Sequence, residues 1–168
     1  MTLYIAGHET TGNTLVWAYY LLSRHPEIFD RMVAEVDLVV GGRQPTMADY
    51  SLLKYTEAVV KETLRLYPPA WLLMVTASAD VEIDGYQVPH GTQVWMSQWA
   101  THHDSRWFPD AEEFRPQRWI GDAAADIPGF AWFPFGGGPH VCLCNRFALV
   151  EAVLVPATIA QRYRIEVE

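Results

Sequence analysis

Cysteine is scarce in this sequence: 168 residues contain two, Cys142 and Cys144, one residue apart. A single pair at that spacing cannot lay out the disulfide framework of a small secreted domain, so a reducing, cytoplasmic setting is expected. Positive charge is short as well. Twelve Lys and Arg stand against twenty Asp and Glu, a formal net charge of −8. This argues against a nucleic-acid partner, because phosphate contact needs a cationic excess. No apolar run approaches the ~20 residues of a membrane span, and the N-terminus lacks the charged region that opens a signal peptide. Neither a membrane segment nor a leader is therefore expected within the chain. Internal repeats and low-complexity tracts are absent too.

What is present is material for packing. Half the residues are apolar and seven are tryptophan, enough for one domain with a core or for part of a larger one. Residues 2–23 read as one buried helix, apolar from its first residue with no capping residue before it, so its upstream half is expected to be missing. "HPEIFDRMVAEVDLVVGG" predicts a second helix, with Pro26 and Glu27 in its first turn and Gly41-Gly42 as its stop. Asp49 to Tyr67 predicts a third, on the helical spacing of Leu52, Leu53, Val59, Val60, Leu64 and Leu66. "DVEIDGYQVP" and "GTQVWMSQWA" alternate as strands, with a hairpin turn at Asp84-Gly85. Thr101 to Pro134 has no period and predicts a long structured coil. "RFALVEAVLVPATIAQRY" returns to helix, with Pro156 as an expected interruption. The fold class is mainly α with a small β-sheet.

"FPFGGGPHVCLC", residues 133–144, carries the chemistry. A phosphate-binding loop would follow its glycines with Lys and Ser or Thr, and here His140-Val141-Cys142 follows. Structural zinc wants four ligands from paired clusters, whereas the chain offers one closely spaced Cys pair and the distant His102-His103. A redox pair favours Cys-x-x-Cys beside a βαβ unit, which is absent. A single thiolate remains, with glycines letting backbone N–H groups turn toward it and a helix N-terminus following near Cys144 or Asn145. Thiolate ligation of haem iron would favour O–O cleavage. On this stretch alone, a buried inert cysteine behind a glycine turn stays open.

Phe135-x-x-Gly138-x-His140-x-Cys142 resembles the haem loop of the cytochrome P-450 family. Three further stretches match that family in order: "AGHETT" (Ala6–Thr11) looks like its oxygen-activating helix, "KETLR" supplies Glu62-x-x-Arg65, and "FRPQRW" resembles the coil whose arginine, here Arg118, joins that pair. The resemblance implies haem b, with Cys142 as axial thiolate to the iron and Phe135, Gly138 and His140 around the cofactor. It implies that Ala6 and Gly7 keep the haem face clear and that Glu9 and Thr10 serve proton delivery. Glu62, Arg65 and Arg118 would be architectural. Leu72 and Leu73 would wall an apolar substrate.

The implied activity is that of a haem-iron monooxygenase, an oxidoreductase inserting one dioxygen-derived atom into an apolar small molecule. Electrons would come from a ferredoxin or flavoprotein-reductase type of partner. Arg146, Arg162 and Arg164 would face an acidic donor or be simply solvated. His102, His103 and the tryptophans at 95, 99, 107, 119 and 132 read as packing and surface. The sequence departs from the family pattern at His140 and Val75, where arginine is usual, at Cys144, where glycine is usual, and at Pro156. Family members are considerably longer. Residues 1–168 are thus expected to be one partial domain, from the second half of the oxygen-activating helix through the cysteine loop and the helix after it. That fragment, truncated at both ends and without a second domain, is expected to be impaired as an enzyme. A non-enzymatic remnant and a small Cys/His metal or redox protein are the alternatives.

Overall fold

The computed structural model describes residues 2–167; Met1 and Glu168, which the expected domain includes, lie outside the described residues, as do the side chains of Thr2 and Leu3. The chain is mainly helical with two small antiparallel sheets. Helix α1 spans Thr2–Arg24 and packs on α2, α4 and α7. The expectation that it is buried throughout needs correction. Residues 4–10 are exposed, and burial starts at Thr11, continuing through Thr14, Ala18, Tyr19, Leu21 and Leu22.

Helix α2 (Pro26–Val40) has Pro26 in its first turn and closes at left-handed Gly41, whose N–H returns to the Asp37 carbonyl. This is the glycine stop that the sequence suggested.

The helix expected over 49–67 is two: α3 (Met47–Tyr50) and α4 (Lys54–Leu66). Asp49 is the reason. Its carboxylate accepts the Thr46 N–H at 2.7 Å and an Arg43 N–H at 2.7 Å, fixing α3, and its carbonyl collects the N–H groups of Leu52 and Leu53. The chain turns there, so Leu53 is buried while Leu52 is 59% exposed. The new N-terminus is capped from another helix. The Glu35 carboxylate of α2 accepts the backbone N–H groups of Tyr55 (2.6 Å) and Thr56 (2.8 Å) and the Thr56 hydroxyl (2.8 Å). These are donors that a helix start leaves unpaired.

Strands β1 (Leu73–Thr76) and β4 (Gln93–Met96) pair with Leu73 opposite Met96; β2 (Val81–Ile83) and β3 (Tyr86–Val88) form the Asp84-Gly85 hairpin. Both turn residues have positive φ, as a two-residue hairpin turn demands. Strand β1 was not expected, and "GTQVWMSQWA" stays extended only to Met96. Ser97 then caps α5 (Gln98–His102), its Oγ accepting the Ala100 N–H. The coil that follows holds only short helical pieces, a 3-10 turn at Pro116–Trp119 and α6 (Asp122–Ala125).

Helix α7 (Asn145–Ala160) runs through Pro156 without interruption. Packing outweighs the lost hydrogen bond: Ala152, Val153, Pro156, Ala157 and Ala160 are all buried, and the Tyr19 hydroxyl reaches the Pro156 carbonyl. The core is built around α4, between a cluster including Leu22, Phe29, Met32, Tyr55 and Val59 and another including Val36, Val60, Leu64, Val153 and Ala157. Among the described residues no helix is long and apolar enough to cross a membrane.

Candidate functional site

Glu62 and Arg65 lie one turn apart on α4, and both are fully buried. An ion pair in the interior needs its remaining donors and acceptors filled. Arg65 fills all five of its N–H groups: Nε and Nη2 each donate to Glu62 at 2.9 Å, Nη1 donates to the carbonyls of His102 (2.8 Å) and Ala111 (2.7 Å), and Nη2 donates to that of Glu113 (3.0 Å). Glu62 also accepts the Arg115 backbone N–H (3.0 Å), Arg118 Nε (2.9 Å) and Trp119 Nε1 (2.8 Å). The Arg118 guanidinium reaches back to the carbonyls of Pro109 and Asp110. The long coil is therefore bound to α4. Trp119, read from the sequence as packing or surface, is a further member of this cluster; its indole N–H needs a partner when buried, which was the available signal.

His102, expected to serve packing or surface, lies in the packed interior. It is fully buried and its Nε2 accepts the Phe133 N–H at 3.0 Å. Burial, ahead of the nearby charges of Arg65 and His103, lowers its pKa to about 4, so the ring is neutral. Gln98, one turn earlier on α5, donates Nε2–H to the Phe133 carbonyl at 2.7 Å. His103 stacks on Trp99.

The cysteine loop starts at that same Phe133. Its carbonyl also accepts the Gly136 N–H, and the Cys142 N–H closes the loop on the Phe135 carbonyl at 2.8 Å. Gly136 (φ 72°) and Gly138 (φ 63°) adopt the left-handed conformation open to glycine. A Cβ at Gly137 would lie 2.3 Å from the exposed Phe130 ring, which would have to move. Leu73 of β1 packs beside Gly136, and Leu72 is half-buried next to it. Phe135 is half-buried against the core, while His140 sits exposed on the 3-10 turn Gly138–His140. Cys142 is an exposed free thiol, and half-buried Cys144 caps α7. Around Cys142, Val141, Leu143 (86% exposed) and Phe147 (70% exposed) turn apolar side chains to solvent.

On α1, Ala6, Gly7, Glu9 and Thr10 are all exposed, and Thr10 Oγ1 donates to the Ala6 carbonyl at 2.6 Å. Among the described residues, neither Glu9 nor Thr10 hydrogen-bonds to the cysteine loop. A polar cleft of about 500 Å³, lined by residues including Arg24, His25, Tyr67 and Glu113, contains no residue of that loop.

These positions decide among the metals. Among the described residues no group of three or more His, Cys, Asp and Glu side chains could hold an ion. The Cys/His metal-protein alternative therefore fails, with His102 engaged by Phe133 and His103 on Trp99. A soft, solvent-facing cysteine sulfur shortly before a helix, with exposed apolar side chains nearby, fits a metal that arrives with its other ligands already in place, as haem iron does. The chain belongs to the cytochrome P450 family, whose model matches residues 1–168. It is 45% identical over 165 residues to cyclooctat-9-en-7-ol 5-monooxygenase of Streptomyces melanosporofaciens, covering 98% of this chain and 36% of that protein. It is 38% identical over 168 residues to pentalenene oxygenase of Streptomyces avermitilis, covering 100% and 37%. The chain thus spans little more than a third of the curated relatives it matches. The family's cofactor is haem b held by a cysteine thiolate.

Proposed function

We propose that this chain is the haem-binding portion of a monooxygenase that inserts one oxygen atom of dioxygen into an apolar substrate. Two electrons come from a redox-protein donor, and the second oxygen atom leaves as water. The chain would run as one partial domain from the second half of the oxygen-activating helix, α1, through the cysteine loop to α7. The names of the two Streptomyces relatives, an oxygenase of an -ene and a monooxygenase of an -en-ol, support the apolar substrate class.

The observation carrying this reading is the exposed Cys142 thiol on a loop whose turns require Gly136 and Gly138. When bound, haem supplies dioxygen activation. The chain's own residues do the rest. Cys142 would supply the sulfur that holds the haem iron. Phe135, Gly138 and His140 bound the cofactor on that side, and Leu72 and Leu73 wall the substrate. Ala6 and Gly7, exposed on α1, would keep the haem face clear of side-chain bulk. Thr10 Oγ1, steadied on the Ala6 carbonyl, holds a proton for delivery, and the Glu9 carboxylate exchanges it with solvent. Glu62, Arg65 and Arg118 hold the coil that leads into the loop.

The test is the spectrum of the haem-supplemented, reduced, carbon-monoxide-bound chain. A red-shifted, thiolate-type Soret band lost in Cys142→Ser and kept in Cys144→Ser is the expected result. A band that Cys142→Ser leaves unchanged would overturn the assignment. A second reading, a non-enzymatic chain, draws on the apolar side chains of Tyr4, Trp71, Leu143 and Phe147 left in solvent; it predicts no haem uptake.

A further inference from the structure

Phe133 is the residue at which the coil becomes the cysteine loop, and both halves of its backbone are held by side chains of α5. Its N–H donates to His102 Nε2, and its carbonyl accepts Gln98 Nε2–H. The same carbonyl accepts the Gly136 N–H, and two residues later the Phe135 carbonyl takes the Cys142 N–H. In the other direction, the His102 carbonyl is held by Arg65. An unbroken run of hydrogen bonds and short covalent links thus joins the Glu62–Arg65 pair, through α5, to the backbone of Cys142.

Space-filling does not account for this choice of residues. Both side chains are fully buried, and each leaves a polar atom, His102 Nδ1 and Gln98 Oε1, without a protein partner. A phenylalanine and a leucine would fill such space without that desolvation cost. What the apolar pair could not do is accept from one side of a peptide unit and donate to the other. The acceptor role also sets the imidazole's tautomer. Because its partner is an N–H, Nε2 must be bare and the ring proton must sit on Nδ1. The ring then packs edge-on against the Phe133 ring, centroids 5.4 Å apart, fixing side chain as well as backbone.

We infer that His102 and Gln98 are positioning residues for the Cys142 loop, a neutral histidine acceptor and an amide donor that clamp the Phe133 backbone and thereby fix the direction from which the thiolate is presented. The inference rests on the reading of Cys142 as the haem thiolate, and its test has one arm that does not.

In the haem-free chain, amide hydrogen exchange is followed at Phe133, Gly136 and Cys142, with α2 and α4 amides as internal reporters of global stability. His102→Phe, which keeps the volume and removes the acceptor, should speed exchange at the three loop amides about tenfold or more relative to the helices. Gln98→Leu should act at the same amides, and serves if His102→Phe fails to fold. His102→Gln restores an acceptor oxygen and should return exchange close to the wild-type pattern. Met32→Ala, a cavity in the α2 core far from the loop, should speed all amides together. In the haem-supplemented form, His102→Phe and Gln98→Leu should convert part of the thiolate-type Soret band to the neutral-thiol type, with recovery in His102→Gln.

Uniform acceleration in His102→Phe and Gln98→Leu, as in Met32→Ala, together with an undiminished thiolate band, would overturn the inference. Should the wild-type chain show no thiolate band, the reading of Cys142 fails by itself, and the exchange arm still decides whether α5 clamps the loop.

Discussion

Arg65 donates all five of its N–H groups and no other side chain can replace that geometry. Lysine offers three donors from a point and cannot fork onto Glu62 while reaching three separate carbonyls. Arg65→Lys is expected to lower the unfolding free energy by about 3–5 kcal/mol, read as a drop in the urea midpoint. Glu62→Gln should behave similarly, because it leaves two buried guanidinium contacts without their counter-charge. His102 predicts a pH effect at the same scale. Its pKa falls to about 4 on folding, against about 6.5 in the unfolded chain. Between those values the unfolded state binds the proton and the folded state does not, so stability is full above pH 6.5 and declines as pH falls toward 4. The effect is on the order of 3 kcal/mol. Urea titrations across pH 4–7 should show that slope in the wild-type chain and lose it in His102→Gln. Asp49, whose carboxyl Arg43 holds well below the usual carboxylate range, loses its contribution only at pH below about 4, outside that window.

At the scale of elements, α4 depends on a cap that its own sequence does not contain. Glu35→Ala removes the acceptor for three donors at its N-terminus and should cost about 1–2 kcal/mol, measured as the shift in urea midpoint with the slope unchanged. In the cysteine loop, Gly138→Ala forces a side chain into left-handed backbone, at about 1–2 kcal/mol. Gly137→Ala meets only the exposed Phe130 ring, which can swing aside, so its cost should be smaller. These contrasts mark what the sequence could reveal. Glu62, Arg65 and Arg118 were legible through the family resemblance, whose motifs "KETLR" and "FRPQRW" carry all three. The stop at Gly41 and the turn at Asp84-Gly85 were legible because backbone conformation there restricts residue choice. The break at Ser51–Leu53 was not, because it is set by Asp49 and by Glu35 from a different helix, and local periodicity carries through it. The clamp on Phe133 was hidden for a related reason: its targets are backbone atoms, and backbone atoms leave no mark on composition. Pro156 misled in the opposite direction, since a local penalty was outweighed by burial on both sides.

Across the molecule, large apolar side chains lie exposed among the described residues: Tyr4 and Ile5 on α1, Trp71, Met74 and Trp95 at the first sheet, and Leu143 and Phe147 beside the thiol. Exposed apolar area of this kind binds hydrophobic probes and promotes association. The haem-free chain should enhance the fluorescence of an anilinonaphthalene sulfonate dye, and stoichiometric haemin should reduce that signal in the wild-type chain more than in Cys142→Ser. An equal reduction in both would separate the dye surface from the thiol site.

The grip of α4 on the long coil has a consequence for how this protein can change over generations. Arg65 and Glu62 hold the coil at the carbonyls of His102, Ala111 and Glu113 and at the N–H of Arg115. All four are main-chain groups, which every amino acid but proline brings in full. The exposed side chains at 113 and 115 are thus free of the anchoring task and can drift toward whatever surface a lineage requires, whereas Ala111 is held small by the Phe108–Ala131 core, and the anchor stays put. One substitution is barred by the same logic. Proline at 115 would delete the N–H that Glu62 receives, so saturation libraries at the exposed positions 113 and 115 should recover varied residues at both yet exclude proline from 115.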